Sequence, residues 1–325
     1  NLINGGIAPD GEGGFQVADP SQVTNGGVPI AVSVYRPFER SDEVWDWRIN
    51  LDHTINENLM LYYSATKGHR SGGYNLVFFS SSPTYDPEEL ISYEIGYKSD
   101  WFDNTLQLNG SFYYYDYENI HTVVQEVSAL GGLTNSVLQA PSARIMGIEG
   151  EGTWLATDNL SIGGNFSYTP SEYDESFEAA DLGGADRPAS LFPSREDLVK
   201  DIEGNQLLQV PEVKTTLWAN YTFRLPRGSK LDVLGSWSYT GEVFYSPFEN
   251  DEEKADSYQR VDFRATWTNA SQNITVSAFV NNVFDELGQR QVLRESEDEF
   301  FRHTAATTVP RHYGLEIGYT VGGYK

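Results

Sequence analysis

Apolar and polar residues alternate with period two along most of the chain, and no convincing helical period competes with that rhythm. Trp45, Trp47, Ile49 and Leu51 alternate with Asp46, Arg48, Asn50 and Asp52. Ile91, Tyr93, Ile95 and Tyr97 alternate with Ser92, Glu94, Gly96 and Lys98. The pattern returns at Leu106–Tyr114, Leu160–Tyr168, Leu231–Tyr239 and Val261–Trp267, and closes at Tyr313, Leu315, Ile317, Tyr319 and Val321. Strands of a two-sheet sandwich average about five or six residues. Runs of ten or more match the roughly nine to eleven residues that cross a bilayer obliquely. The pattern predicts an all-β protein, a transmembrane antiparallel barrel, with strands at 43–54, 59–69, 88–100, 104–127, 142–155, 160–170, 213–225, 230–241, 257–268, 273–285 and 310–322.

The connections between these runs are of two kinds. Ile55–Asn58, Trp101–Asn104, Ala156–Asn159, Pro226–Ser229 and Asn269–Gln272 are tight, whereas 70–87, 129–141, 171–212, 242–256 and 286–309 are long and acidic. Short and long alternate, as periplasmic turns and extracellular loops do in outer-membrane barrels. Splitting 104–127 at Tyr117-Glu118-Asn119 would break that alternation, so it is read as one strand projecting beyond the bilayer. Single-chain bacterial barrels have even strand counts, with both ends at the periplasm. Eleven strands therefore predict the C-terminal half of a larger barrel: an extracellular loop region at 1–42, then barrel over 43–325.

Composition fits this architecture better than a soluble one. Only 39% of the 325 residues are hydrophobic, yet 14% are aromatic. A barrel needs one apolar face per strand, while its other face and its loops stay polar. The net charge of −25 disfavours nucleic acid as a partner. The absence of cysteine excludes disulfides, thiolate zinc sites and a cysteine nucleophile. No apolar run reaches the length of a membrane helix, and Asn1–Pro9 have no signal-peptide pattern.

Five short segments then point to one family. Lys67-Gly68-His69-Arg70-Ser71-Gly72-Gly73-Tyr74-Asn75 resembles a KGxxSGGxN strand-to-loop phrase, and Pro87–Ser99 a PE…SYElGlKs strand. Ala143–Glu151 is similar to ArxxGxExE, Asn281–Glu286 to an NLFD segment, and Pro310–Gly314 to PRxYG. Taken in order over residues 40–322, they resemble the C-terminal barrel of TonB-dependent outer-membrane receptors. The resemblance implies about 22 strands in the complete barrel. It further implies an N-terminal barrel half and plug as partners, the TonB complex acting through that plug, and lipid and lipopolysaccharide around the wall of a Gram-negative outer membrane. Its function would be energised import of a scarce nutrient, a ferric siderophore first. The implied protein is a transporter and not an enzyme, and no resident cofactor is expected. Family members commonly end on an aromatic residue; here the outward phase ends at Val321, with Tyr324 out of phase.

Each candidate residue has a plainer reading beside its functional one. The glycines of Lys67–Asn75 allow a bend where a strand leaves the sheet, while Arg70, Tyr74 and Asn75 are candidates for substrate contact. Loop aromatics Phe78, Phe79, Tyr245, Phe248, Phe300 and Phe301 join them, because rings give contact area at low entropic cost. Glu94, Lys98, Glu149, Glu151, Arg260, Asp262 and Arg264 fall on the polar phase and are expected to face the lumen or a plug. His69 and Ser71 share a strand face, the arrangement of an outer-membrane phospholipase; a porin-like, non-energised barrel is the other alternative. The run Glu249–Asp256 offers carboxylates to Ca²⁺ without the spacing of a calcium loop, and the histidines have no metal-ligand spacing, His303 being a conceivable loop ligand. Trp45, Trp101 and Trp154 read as interfacial girdle residues.

Overall fold

A computed structural model describes residues 39–75, 84–127, 133–181, 199–294 and 302–321, with the backbone alone of 7–9, 15–17, 124–127, 133–136 and 138–141. Eleven long strands form one antiparallel sheet in sequence order: β1 Trp47–Asn56, β2 Leu59–Arg70, β3 Glu88–Trp101, β4 Leu106–Val127, β5 Leu133–Thr157, β6 Leu160–Tyr168, β7 Val213–Arg224, β8 Lys230–Thr240, β9 Tyr258–Thr268, β10 Ile274–Asn281 and β11 His312–Tyr319. β1 and β11 are its edges. Each strand pairs with the next through a tight turn or a long loop, as the alternation predicts.

The register sorts the side chains into two faces. Trp101, Leu106, Trp154, Ile162, Ala219, Gly235, Phe263, Val280 and Tyr313 form one cross-strand row, apolar from end to end. Ile95 is 56% exposed and Phe112 47%, although both sit mid-sheet between paired neighbours. Large apolar side chains left open on a fully paired sheet form a lipid-facing surface, not a failed core. Trp45, Trp101 and Trp154 are all exposed beside strand ends, where an indole can sit at the membrane boundary.

Glycines within the strands follow a rule. Gly96, Gly110, Gly147, Gly163, Gly235 and Gly314 lie directly opposite Tyr62, Tyr97, Tyr113, Trp218, Phe263 and Phe279. In each pair the ring occupies the space that a glycine Cβ would need. The missing side chain lets an aromatic lie flat on the neighbouring strand.

Several expected boundaries move. The first strand starts at Trp47 instead of residue 43, because Asp42 and Asp46 are engaged by Arg40 and His69. The tenth ends at Asn281 instead of 285: Asn282 takes φ +53°, and its amide exchanges hydrogen bonds with Glu286. The last covers Val321 neither as strand nor as paired edge and ends on Tyr319; residues 322–325 lie outside the described residues.

The largest correction concerns 129–141, expected as a loop. β4 and β5 are 22 and 25 residues long and pair as far as Val127 and Leu133, a ribbon much longer than a bilayer requires. Register runs Glu118 with Ser142, then Ile120 with Ala140, omitting Asn119 and Pro141. Pro141 has no N–H for the ladder, and Asn119 adopts φ +56°. Beyond this point the faces exchange: Tyr113, Tyr115 and Tyr117 meet a loop core from odd positions, and Ile120 meets it from an even one. The turn-like Tyr117-Glu118-Asn119 is thus a twist within one strand.

Candidate functional site

The polar face carries the charged residues that the strand phase assigns to it. Lys98, Asn109, Glu151, Asn165, Thr216, Ser238 and Arg260 form one cross-strand row. Glu94, Lys98, Glu149 and Glu151 line a groove of about 660 Å³ together with Tyr62, Asn109 and Lys214. Tyr62, lying over Gly96, donates its hydroxyl to Glu94 at 2.5 Å, and Asn109 Nδ2 donates to Glu151 at 2.8 Å. Toward β11 the charges pair internally. Arg260 Nε meets Asp262 at 2.8 Å, and Arg264 binds Glu316 while its guanidinium lies 5.7 Å from the Phe279 ring centre. The Arg260–Asp262 pair lies within one strand, whereas Arg264–Glu316 reaches across β10. Asp262 also accepts the Asn282 N–H at 2.7 Å, which ties the wall to the base of the β10–β11 loop.

Above the wall the motif residues act on one another. Ideal Cβ atoms at Gly72 and Gly73 would strike the Arg40 guanidinium and the Tyr85 ring. Arg40 in turn binds Asp86 at 2.9 Å, so Gly72 is the bed on which a strap of three segments closes. Asn75 is buried and pairs with the Val137 backbone as a strand amide would, Nδ2 donating to its C=O and Oδ1 accepting its N–H, both at 2.9 Å. His121 fixes the same loop from β4, its Nε2 donating to the Asp86 carbonyl at 2.7 Å while its ring meets Tyr85 edge-on. Arg70 is exposed at the end of β2, and Tyr74 lies half-buried in the Gly73–Tyr74/Thr84–Tyr85 ribbon.

His69 Nδ1 lies 2.9 Å from both oxygens of Asp46, and among the described residues no hydrogen bond joins it to Ser71. Asp285 accepts the Arg311 N–H at 2.7 Å, which brings the Asn281–Glu286 and Pro310–Gly314 motifs into contact at one loop base.

The remaining candidates divide. Tyr245 is half-buried against Val243, Ala255 and Val292 and donates its hydroxyl to the Arg290 carbonyl; Phe248 packs on the main loop core. Phe78, Phe79, Phe300 and Phe301 lie outside the described residues. His303 is exposed, opposite Arg294 in the Gln289–Arg294/His303–Thr307 ribbon. The acidic run disperses: Glu249 accepts the Gln206 N–H, Glu252 meets Arg294, Asp251 meets Lys254, and Glu253 binds Asn250. No three potential metal ligands converge among the described residues.

A loop core was not foreseen. Tyr113, Ala143 and Ile145 of β4 and β5 bury against Tyr173, Ile202 and Leu207 of the β6–β7 loop. The apolar spacing of Ile202, Leu207 and Val210 was its signal in a segment otherwise read as acidic. Around it, carboxylates are tuned in opposite senses. Burial pushes Asp174 up, but donation from Ser142 and Arg144 outweighs it and holds the carboxyl below its usual value. Donation from Ser176 and from backbone N–H groups lowers Asp201. Burial raises Glu253, against donation from Asn250 and Ser246.

An eleven-strand sheet with an apolar outer face, a charged inner wall and loops tied over one end defines a segment of an outer-membrane transport barrel. A family profile described as TonB dependent receptor-like, beta-barrel, matches residues 13–283. The chain belongs to that family of transport receptors, and its place is the outer membrane of a Gram-negative bacterium. It is 25% identical over 263 residues to a probable TonB-dependent siderophore receptor, PiuA, of Acinetobacter baumannii, covering 79% of this chain and 32% of that protein. It is 22% identical over 250 residues to the ferrichrome outer membrane transporter/phage receptor of Escherichia coli K12, covering 76% and 29%. The crystal structure of the ferric yersiniabactin uptake receptor FyuA from Yersinia pestis superposes with a TM-score of 0.63 at 16% identity, covering 84% of this chain and 36% of that one. That likeness concerns the fold alone. The chain spans about a third of the length of the proteins it matches.

Proposed function

We propose that the complete receptor to which this chain contributes imports a ferric siderophore across the outer membrane. A plug fills the lumen, and the TonB complex energises release through it. The observation that carries this reading is the family match over 13–283, joined to relatives named as siderophore and ferrichrome receptors. The charged inner wall supports it, because Glu94, Glu149 and Glu151 are held by neutral donors or line a groove open to a partner. The second barrel half supplies the neighbours for β1 and β11. Lipid and lipopolysaccharide cover the apolar face.

Arg70 and Tyr74 at the mouth, with Phe78, Phe79, Phe300 and Phe301, remain the proposed substrate contacts, and Asn75, Tyr245 and Phe248 support the loops that carry them. No catalytic role is assigned: His69 is turned to Asp46. Deleting the gene in its own host and measuring radiolabelled iron uptake from a panel of ferric siderophores tests the reading. Loss of uptake for one chelate, with the same loss on removing TonB, is expected. Undiminished uptake of every chelate, or uptake that persists without TonB, would overturn it.

A further inference from the structure

The loop between β8 and β9 stands between two others and touches both. On one side Asn250 uses its whole amide. Its Oδ1 accepts Lys200 Nζ at 2.9 Å, and its Nδ2 donates to Asp181 at 3.0 Å and to Glu253 at 2.8 Å. Lys200 closes the ring on Asp181 at 2.6 Å, and Asp181 is almost fully buried. Asn205 and Gln206 add bonds to the Pro247 carbonyl and Glu249, and Phe248 enters the core with Ile202 and Leu207. On the other side Tyr245 donates to the Arg290 carbonyl, Val292 packs on Val243 and Ala255, and Glu252 lies 3.7 Å from Arg294. The two contact sets are joined by one short turn, Ser246–Glu253, pinned at both ends by the Val243–Phe244/Lys254–Ala255 ribbon.

We propose that this loop is a keystone that joins the described parts of the β6–β7, β8–β9 and β10–β11 loops into one cooperative unit. Buried groups satisfied by partners from another segment make the segments interdependent. Opening the β6–β7 flank strands buried Asp181 without the Asn250 amide, which costs more than an exposed bond would, and opening the β10–β11 flank uncovers Val292, Val243 and Ala255. Cooperative units of this kind exchange their amides with a shared opening equilibrium. Coupling is also reciprocal, so a change on either flank must be felt on the other.

The test is amide hydrogen exchange by mass spectrometry on the full-length receptor in lipid nanodiscs, with two substitutions on opposite flanks. Asn250→Ala removes the bonds to Lys200 and Asp181 of the β6–β7 loop. It is expected to speed exchange about ten- to hundred-fold, on the scale of lost hydrogen bonds to charged groups, in Val199–Asp201 and also in Gln289–Arg294. Tyr245→Phe removes one hydroxyl on the β10–β11 flank and keeps the ring. It is expected to speed exchange about two- to ten-fold in Gln289–Arg294 and also in Glu178–Ala180 and Val199–Asp201. If each variant loosens only its adjoining ribbon, or the ribbons of the unaltered receptor exchange with unrelated opening equilibria, the keystone does not exist. Should Asn250→Ala fail to assemble, the near-isosteric Tyr245→Phe decides alone. None of these outcomes depends on which nutrient is carried.

Discussion

From β1 to β11 the membrane belt buries almost nothing large. Its fully enclosed side chains are small, such as Ala65, Ser99 and Ser277, while Leu315 and Ile317 stand 77% and 80% exposed on the edge strand. The loop layer above it does the reverse, enclosing Ile202 and Tyr173 almost completely and burying Asp181 and Glu253 with partners. The belt draws its cohesion from backbone pairing and from lipid outside it. The loop layer uses the hydrophobic effect and satisfied polar groups, like a small soluble domain. One chain thus obeys two solvents, and the boundary between them runs across β4 and β5.

Substitutions that respect one plan and violate the other separate them. The largest effect is expected from Ile202→Ala, which should cost the loop layer about 2–5 kcal/mol; exchange protection would fall across 171–181 and 199–210 while the heat-resistant folded barrel band on electrophoresis is unchanged. Loss of that band would tie the belt to the loop core. Ile148→Arg, beside Phe112 on the apolar face, should do the opposite. A cationic side chain at mid-membrane costs about 2–4 kcal/mol, read as reduced barrel assembly in liposomes, and normal assembly would refute the facing of that strand.

Gly163→Ala should cost the belt about 1–3 kcal/mol by overpacking, because its Cβ would meet the Trp218 ring at 2.4 Å. Chemical-denaturant midpoints of the folded barrel check it, and Trp218→Leu should recover part of the loss.

The smallest effect is a response to pH confined to the loops. Glu253 is raised in the folded state, so its protonation favours the closed layer. Stability from this group grows as pH falls through its raised value and fades as pH climbs. Asp174 and Asp201 are lowered, so their contribution is present above the unfolded carboxylate value and disappears as pH falls through their depressed ones. Loop protection factors, taken relative to the intrinsic exchange rate at each pH, should therefore rise on mild acidification and fall on stronger acidification. A monotonic profile would count against Glu253.

The belt was legible in the sequence because its physics is local. Alternation assigns every side chain to a face, and the register then brings Lys98, Glu151 and Arg260 into one row without any further information. The exchange of faces at Asn119 was visible only as a turn signal, because Pro141, the partner-strand residue skipped opposite it, lies in no local window. The loops were legible in length but not in content. Asn75 looks like a ligand residue in sequence and is a strand substitute in space. Glu249 and Glu253 look like a calcium run and point to different partners. The Asn75–Val137 and Glu249–Gln206 pairings join residues forty or more positions apart, where no periodicity reaches.

The flat rings set over strand glycines have a consequence for how this wall can change. Tyr62, Tyr113, Trp218 and Phe279 cover Gly96, Gly147, Gly163 and Gly314 on the charged side. Each couple is a single tile shared by two strands. Replacing either member alone leaves a hole or a collision, but exchanging both, with the ring moved to the opposite strand, preserves the tile. The inner surface can therefore be redrawn two residues at a time, shifting a phenol or indole by one strand spacing of about 4.8 Å while the strand pairing beneath stays as it is.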